Sequence, residues 1–592
     1  MRDNKFLIER AFRIDETTGQ NKVTDLREAV KCYIKPKMKL HISSSYYYPA
    51  AIINEITRQF NGERPEFTLI SKGINLNTIN LLINGLVKKV ITAFHGDFYP
   101  SPRPNPAIIQ SYLKRIVEFE DWSLYSYTQR LMAGAMGIGF IPTNSIFGSD
   151  MADENHDSFR LIDDPFGSGT KSGILKALIP DISVLHAWAA DSYGNTIILP
   201  PYGPLPWGAM ASRQGVLVTT EKIISTDLIR EFSYFVVLPG HFVRSVSPVA
   251  FGAHPQGMSN LDIKEFDAYG HDYDFINEHQ EVIRKPKKYQ RWLEEWVLNC
   301  DTQEDYLQKL GHERIMFLKG KAHRDSWIHE LRSLITKISS NQESNRLEMM
   351  TITAARKIKE KVIQQGYNLI FSGIGNSNLA AWLAYYLLKE EKYVISLAAE
   401  LGFLGYDPRP VDPFIFSFNI LPSSTMLTNI VNVLGIFAGG NSNKCLGSLG
   451  AGQIDKCGNI NSTKIPGKTY LTGSGGSNDV ASTAAEIIVT VEQSADRFVE
   501  RVPYITCPGD RVTTLISDMG VFEKLGNDKE FTLTEYFSDL RGSSPPKVIE
   551  TIRRNCGWDL KVSETANVVM PPTQKELDII RLFDPRGFFI AT

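Results

Sequence analysis

Two stretches of the chain alternate short β-branched runs with amphipathic helical patterns, and a stretch between them does not. From residue 38 to 240 the runs FTLISKG, KVITAFHG, ISVLHAWAAD, TIILP and GVLVTTEKII read as strands. The helical periods AAIINEITRQF, NTINLLINGLV and AIIQSYLKRIVEF lie between them. Strands separated by helices of this length predict a largely parallel sheet with helices on both faces. From about 262 to 364 the pattern turns helical and charged, as in YQRWLEEWVLN, SWIHELRSLITKI and NRLEMMTITAARKIKEKVIQQ. A second α/β pattern follows through YNLIFSG, the helix AAWLAYYLLKE, YVISLAAE, AAEIIVTVEQ, RVPYITCP and VTTLISDMGVF.

The two patterned halves echo each other. Asp191–Asn195 and Asp455–Asn459 both read Asp-x-x-Gly-Asn, and each precedes a β-run ending in Val-Thr-x-Glu, at Val218–Glu221 and Val489–Glu492. Repetition of both signals in one order predicts two related open-sheet α/β lobes facing each other across a helical connector. The expected boundary is Ser339-Ser340-Asn341-Gln342, which gives lobes of 1–340 and 341–592.

Composition narrows the field. The 592 residues exceed what one hydrophobic core organises. A formal net charge of -2 argues against nucleic acid and against a polybasic membrane arm. The six cysteines form no C-x-x-C pair and the histidines are scattered, so no metal is expected. The opening MRDNKFLIERAF has no apolar signal core, and the apolar stretch from about 411 to 439 is too interrupted to span a bilayer. These readings place the protein in the cytoplasm.

Glu400 is the first candidate for chemistry. It ends the apolar run YVISLAA, and glycines at 402 and 405 follow it. Open parallel sheets bind ligands beyond the carboxyl ends of their strands, and glycines let a substrate carbonyl approach the backbone. From spacing alone a strand-end glutamate also serves to cap a helix or to meet an arginine. Ser372-Gly373-Ile374-Gly375-Asn376-Ser377 lies between a strand and a helix, where N–H groups cradle phosphate or simply close a βα turn. Gly447–Asp455 and Gly473–Asp479 are dense in glycine, as a backbone wall against a ligand would be, and offer N–H donors to an oxyanion.

Together these segments resemble the class I coenzyme A transferases, and most closely the glutaconate CoA-transferase branch. Glu400-Leu401-Gly402-Phe403-Leu404-Gly405 is similar to the family's E-x-G-x-x-G, in which the glutamate is the nucleophile. GSLGAGQIDKCGNINST is similar to its glycine-rich wall, Ser474–Asp479 to its later glycine segment, and FEDWSLYSYTQRLMAGAMGIGFIPT to the alpha-type half of such enzymes. Residues 20–320 resemble the family's alpha subunit, and 345–592 its beta subunit, fused in one chain.

The resemblance implies a homodimeric enzyme with acyl-CoA and carboxylic acid substrates, no resident cofactor, and coenzyme A as co-substrate. It implies a glutamyl-CoA thioester on Glu400 and an oxyanion wall at Gly450, Ala451 and Gly452. It implies CoA contacts from Gly373, Gly375, Asn376, Gly402, Gly405, Gln453, Gly475 and Gly476. It also implies a substrate pocket that includes Ser123, Ser45, Tyr46 and Tyr47. One departure stands out. Where the family has a glycine-rich strand exit with an arginine before a proline, this chain has His41-Ile42-Ser43-Ser44-Ser45-Tyr46-Tyr47-Tyr48-Pro49. The alternatives to transfer are acyl-CoA hydrolysis on the same fold and a non-catalytic acyl-CoA scaffold.

Overall fold

The computed structural model describes residues 19–338, 343–441, 444–538 and 544–591. The opening MRDNKFLIERAF and the expected boundary at 339–342 lie outside the described residues.

Each half is an open sheet. In the first, seven strands run parallel: β1 (Lys39–Ile42), β2 (Phe67–Ser71), β3 (Val87–Thr92), β4 (Glu118–Asp121), β5 (Ile182–Ala190), β6 (Val216–Ile223) and β7 (Val243–Pro248). Their spatial order is β7-β6-β5-β1-β2-β3-β4. All of β5 is buried, as expected of a strand covered on both faces. In the second half the parallel strands are β8 (Leu369–Ser372), β9 (Ser396–Ala399), β10 (Cys445–Leu449), β11 (Glu486–Thr490) and β12 (Val512–Ile516), in the order β12-β11-β10-β8-β9. Beyond β12 the sheet turns antiparallel through Gly520–Glu523 and Thr532–Tyr536.

Superposing the two orders pairs β1 with β8, β2 with β9, β5 with β10, β6 with β11 and β7 with β12. The repeated Asp-x-x-Gly-Asn steps are one turn built twice. Asn195 donates its N–H and its side-chain amide to Asp191 at 2.9 and 2.7 Å, and Asn459 does the same to Asp455 at 3.0 and 3.0 Å. Each asparagine oxygen then accepts a distant glycine N–H, from Gly240 at 3.0 Å and from Gly509 at 2.9 Å. The glycine of each step has a positive φ, +92° at Gly194 and +83° at Gly458, which explains its identity.

The connector is helical through Tyr273–Ile283, Pro286–Leu293, Gln303–Leu310, His312–Lys321 and Ser326–Leu334. Helix Arg346–Gln365 belongs to the second half, where it packs on helix Asn376–Glu390. It starts at a capping box: Asn345 accepts the N–H groups of Leu347 and Glu348, and Glu348 returns to the Asn345 N–H. It ends at Gly366 with φ +66°. Such a cap is worth about 1 kcal/mol.

Two patterns resolve differently from expectation. The run after AIIQSYL is not helix: the chain leaves helix Pro106–Leu113 and enters β4, an amphipathic edge strand whose few apolar positions fit both periods. RVPYITCP is not a strand. It crosses the seam as irregular chain, where Ile505 donates to Asp150 and Asn478 reaches the Thr506 carbonyl.

Candidate active site

The seam between the halves is assembled around Glu400. Glu400 directly follows β9 at the carboxyl edge of the sheet, one strand from the crevice that the strand order opens between β8 and β10. Its neighbour Leu401 accepts the N–H of Gly203 from the first half at 3.1 Å, and Thr428 accepts that of Tyr202 at 2.7 Å. Gly402 holds φ +116°, and a β-carbon there would meet the Thr428 carbonyl oxygen at 2.3 Å. The glycine therefore permits the close return of the chain that fixes the glutamate.

Opposite lies the loop 472–476, clamped by the first half. Gly475 donates to Ala93 at 2.9 Å and accepts from Leu124 at 2.9 Å, while His95 donates to Thr472 at 2.8 Å. The loop presents the Gly476 N–H to Glu400 Oε2 at 2.7 Å. Burial pushes the Glu400 carboxyl above its ordinary value, and the Gly476 hydrogen bond and the positive charge of Lys72 pull against that rise.

Glu400 opens into a narrow cleft that is partly open to solvent. The first half contributes Tyr46, Tyr48, Lys72, Asn75, Phe94, Phe98 and Gln256, and the second contributes Ile374, Leu401, Phe414, Phe416 and Gly475. Six of the lining side chains are aromatic, and Lys72 is near enough to the glutamate to interact with its charge. Lys72 donates to the Tyr48 hydroxyl at 3.3 Å and lies over its ring. Burial lowers the Lys72 pKa to about 8, against the raising influence of Glu400.

The residues expected from sequence are distributed unevenly. Glu400, Gly475, Gly476 and Tyr46 meet at the cleft. Gly373, Gly375 and Asn376 form the β8 turn beside it. Gly373 is pressed against the Ser448 carbonyl, Gly375 has φ +85° with open space around its α-carbon, and Asn376 bonds Thr351 and Phe589. Gly405 underlies Thr425. Gly450, Ala451 and Gly452 do not border the cleft. Gly450 faces the Ile374 carbonyl and Gly452 packs on Asn461, so the N–H aimed at the glutamate comes from Gly476 instead. Gln453 is held internally by Asp496 and Asn461. Ser123 caps helix Leu124–Ala135 and is fully buried, bonded to Ser126. Ser45 bonds the Pro201 carbonyl, and Tyr47 donates to His186 O at 2.9 Å inside the core.

Lys72, Asn75 and Gln256 escaped the sequence reading. The signal for Lys72 was available: it follows the second strand of the first half as Glu400 follows the second strand of the other.

A second polar knot ties the halves farther out. Asp121, fully enclosed, takes His95 Nε2 at 2.6 Å, Lys464 at 3.5 Å and the Tyr470 hydroxyl. Burial would raise its pKa, but His95 and Lys464 hold it well below the carboxylate range.

This geometry is matched by comparison with known proteins. The family model for coenzyme A transferase matches residues 23–247 and 352–523, so the chain belongs to that family. It is an enzyme of class I, with alpha-type and beta-type halves fused in one chain. The beta-type half is similar to one of the subunits of 3-oxoadipate CoA-transferase from Pseudomonas knackmussii, 28% identical over 258 residues, covering 40% of this chain and 93% of that one. The alpha-type half is similar to one of the subunits of glutaconate CoA-transferase from Acidaminococcus fermentans, 27% identical over 221 residues, covering 34% of this chain and 64% of that one. The chain spans 62% and 64% of the length of two of its curated relatives. The acyl-CoA transferase of Escherichia coli O157:H7 shares the whole fold, with a TM-score of 0.62 over 96% of this chain and 97% of that one at 16% identity. Among the described residues no helix is long and apolar enough to cross a membrane.

Proposed function

We propose that the enzyme transfers coenzyme A from an acyl-CoA to a free carboxylic acid through a thioester on Glu400. The Glu400 carboxylate, set in a cleft at the seam with one oxygen on the Gly476 N–H, carries this reading. A carboxylate oxygen of Glu400 attacks the thioester carbonyl carbon, and the CoA thiolate leaves with the electron pair. The thiolate then attacks the glutamyl carbonyl of the mixed anhydride, releasing the acid and leaving CoA on Glu400. An acceptor carboxylate reverses both steps. Splitting the exchange this way replaces one difficult displacement with two easier ones. The Gly476 N–H is already directed at the oxygen that becomes the tetrahedral oxyanion whenever the glutamyl carbonyl is attacked.

The aromatic walls favour flat or short acyl groups over bulky branched ones. The test supplies acetyl-, isobutyryl-, benzoyl- and glutaryl-CoA, each with and without a second acid. CoA mass on the peptide bearing Glu400, formed without acceptor and discharged by acid, supports transfer. Release of CoA that does not depend on acceptor marks a hydrolase. We further infer lobes of 1–340 and 341–592, a homodimer, and work alongside the acyl-CoA pool of the cytoplasm. Sedimentation and cell fractionation test the last two.

A further inference from the structure

The matching strand orders put two residues in equivalent places. Ser71 ends β2 and Lys72 follows, and Ala399 ends the matching strand β9 and Glu400 follows. Both line the one cleft, from opposite halves. Among the described residues Lys72 forms no ion pair, and its ammonium donates to the neutral Tyr48 hydroxyl. A largely desolvated ammonium without a contacting anion is costly, so a site that keeps one is built to receive an anion.

We propose that Lys72 is the binding group for the free acid's carboxylate, which it takes up when Glu400 becomes a neutral thioester. This rests on the thioester reading given above. In the resting enzyme the cleft holds one carboxylate, Glu400. In the glutamyl-CoA intermediate that charge is gone, and the acceptor acid restores it. Its oxygen bonds to the glutamyl carbonyl carbon, the C–S bond breaks and the electron pair leaves on sulfur. The thiolate then breaks the anhydride at the acyl carbon and returns the carboxylate to Glu400. Lys72 faces a single negative charge before and after the exchange, so it steers in the acid only when the enzyme is charged with CoA.

Glu400→Gln reproduces the neutral state without turnover. Calorimetry with acetate, benzoate and glutarate as probes should show carboxylate binding to E400Q at least about tenfold tighter than to wild type. The gain should vanish in Lys72→Met/Glu400→Gln and survive in Lys72→Arg/Glu400→Gln. Equal binding by wild type and E400Q, or by E400Q and the methionine double variant, overturns the inference. Failure of the thioester reading appears separately, as absence of CoA mass on the wild-type Glu400 peptide.

Discussion

A β-carbon built on Gly476 meets Glu400 Oε2 at 2.5 Å, and the Gly476 backbone, at φ -86°, accepts any residue. Gly476→Ala should therefore fold normally and displace only the end of the glutamate side chain. Turnover should fall by roughly 100-fold, the scale of a lost oxyanion donor, while CoA affinity and melting temperature stay near wild type. Glu400→Gln should abolish the covalent adduct altogether, read by mass spectrometry after incubation with acyl-CoA. Lys72 makes the opposite trade. Its pKa is lowered in the fold from 10.5 to about 8, so the folded chain binds fewer protons than the unfolded chain between these values. The destabilisation is complete below about pH 8 and lost above about 10.5. Lys72→Met should thus melt higher than wild type at pH 7, by about 2 kcal/mol, and converge on it at high pH. Glu400 was legible because a charged residue ending an apolar strand before two glycines is chemically conspicuous. Lys72 was legible only through the repeat, by its place after the strand that matches the one before Glu400, because a lysine after a strand is otherwise ordinary.

At the scale of elements, the glycine segments divide by what presses on them. Loop 472–476 is pinned from the first half and reaches the carboxylate, whereas Gly450 lies beside the Ile374 carbonyl and Gly452 against Asn461. Glycine density showed that backbone packs closely in both; only the three-dimensional course of the chain shows against what. The altered segment 41–49 behaves similarly. Tyr46 and Tyr48 line the cleft while Tyr47, between them in a bend of the chain, buries its ring against Trp188. Short helix Ser477–Thr483 follows the loop and carries Asp479, which accepts the Tyr125 N–H at 2.9 Å. Burial pushes Asp479 from 3.8 up to about 7, so the folded protein keeps a proton that the unfolded chain releases in this window. Stability should accordingly decline as pH rises from about 4 to about 7. Asp479→Asn preserves the acceptor for Tyr125 and should flatten that decline, measured as melting temperature against pH.

At the scale of the whole molecule, the duplicated topology was largely readable, since the repeated Asp-x-x-Gly-Asn turn and the strand pattern both survive in the sequence. The seam was not, because no local pattern encodes which loops of two similar halves will meet. The structure shows that they meet through many directional contacts, including Lys464 to Glu154 at 2.8 Å, Asn478 to the Ile146 N–H at 2.8 Å, and Tyr273 to Asp412 at 2.6 Å. The covalent link between the halves should therefore be dispensable. Co-expressed chains 1–340 and 341–592 should elute together and turn over within about threefold of the intact enzyme, since linking two well-matched bodies chiefly raises their effective concentration. Separate elution, or a mixture without activity, would count against those lobe limits.

Because Ala93 and Leu124 of the amino-terminal half grip Gly475, docking of the two halves anchors the loop whose Gly476 N–H steadies Glu400. A carboxyl-terminal half that has folded but not yet found its mate carries a glutamate with no counterpart lysine and an unanchored loop. Such a half should form no CoA adduct when given acyl-CoA, read by mass spectrometry of the peptide bearing Glu400. During synthesis the amino-terminal half emerges first, and its docking face is waiting when the glutamate leaves the ribosome.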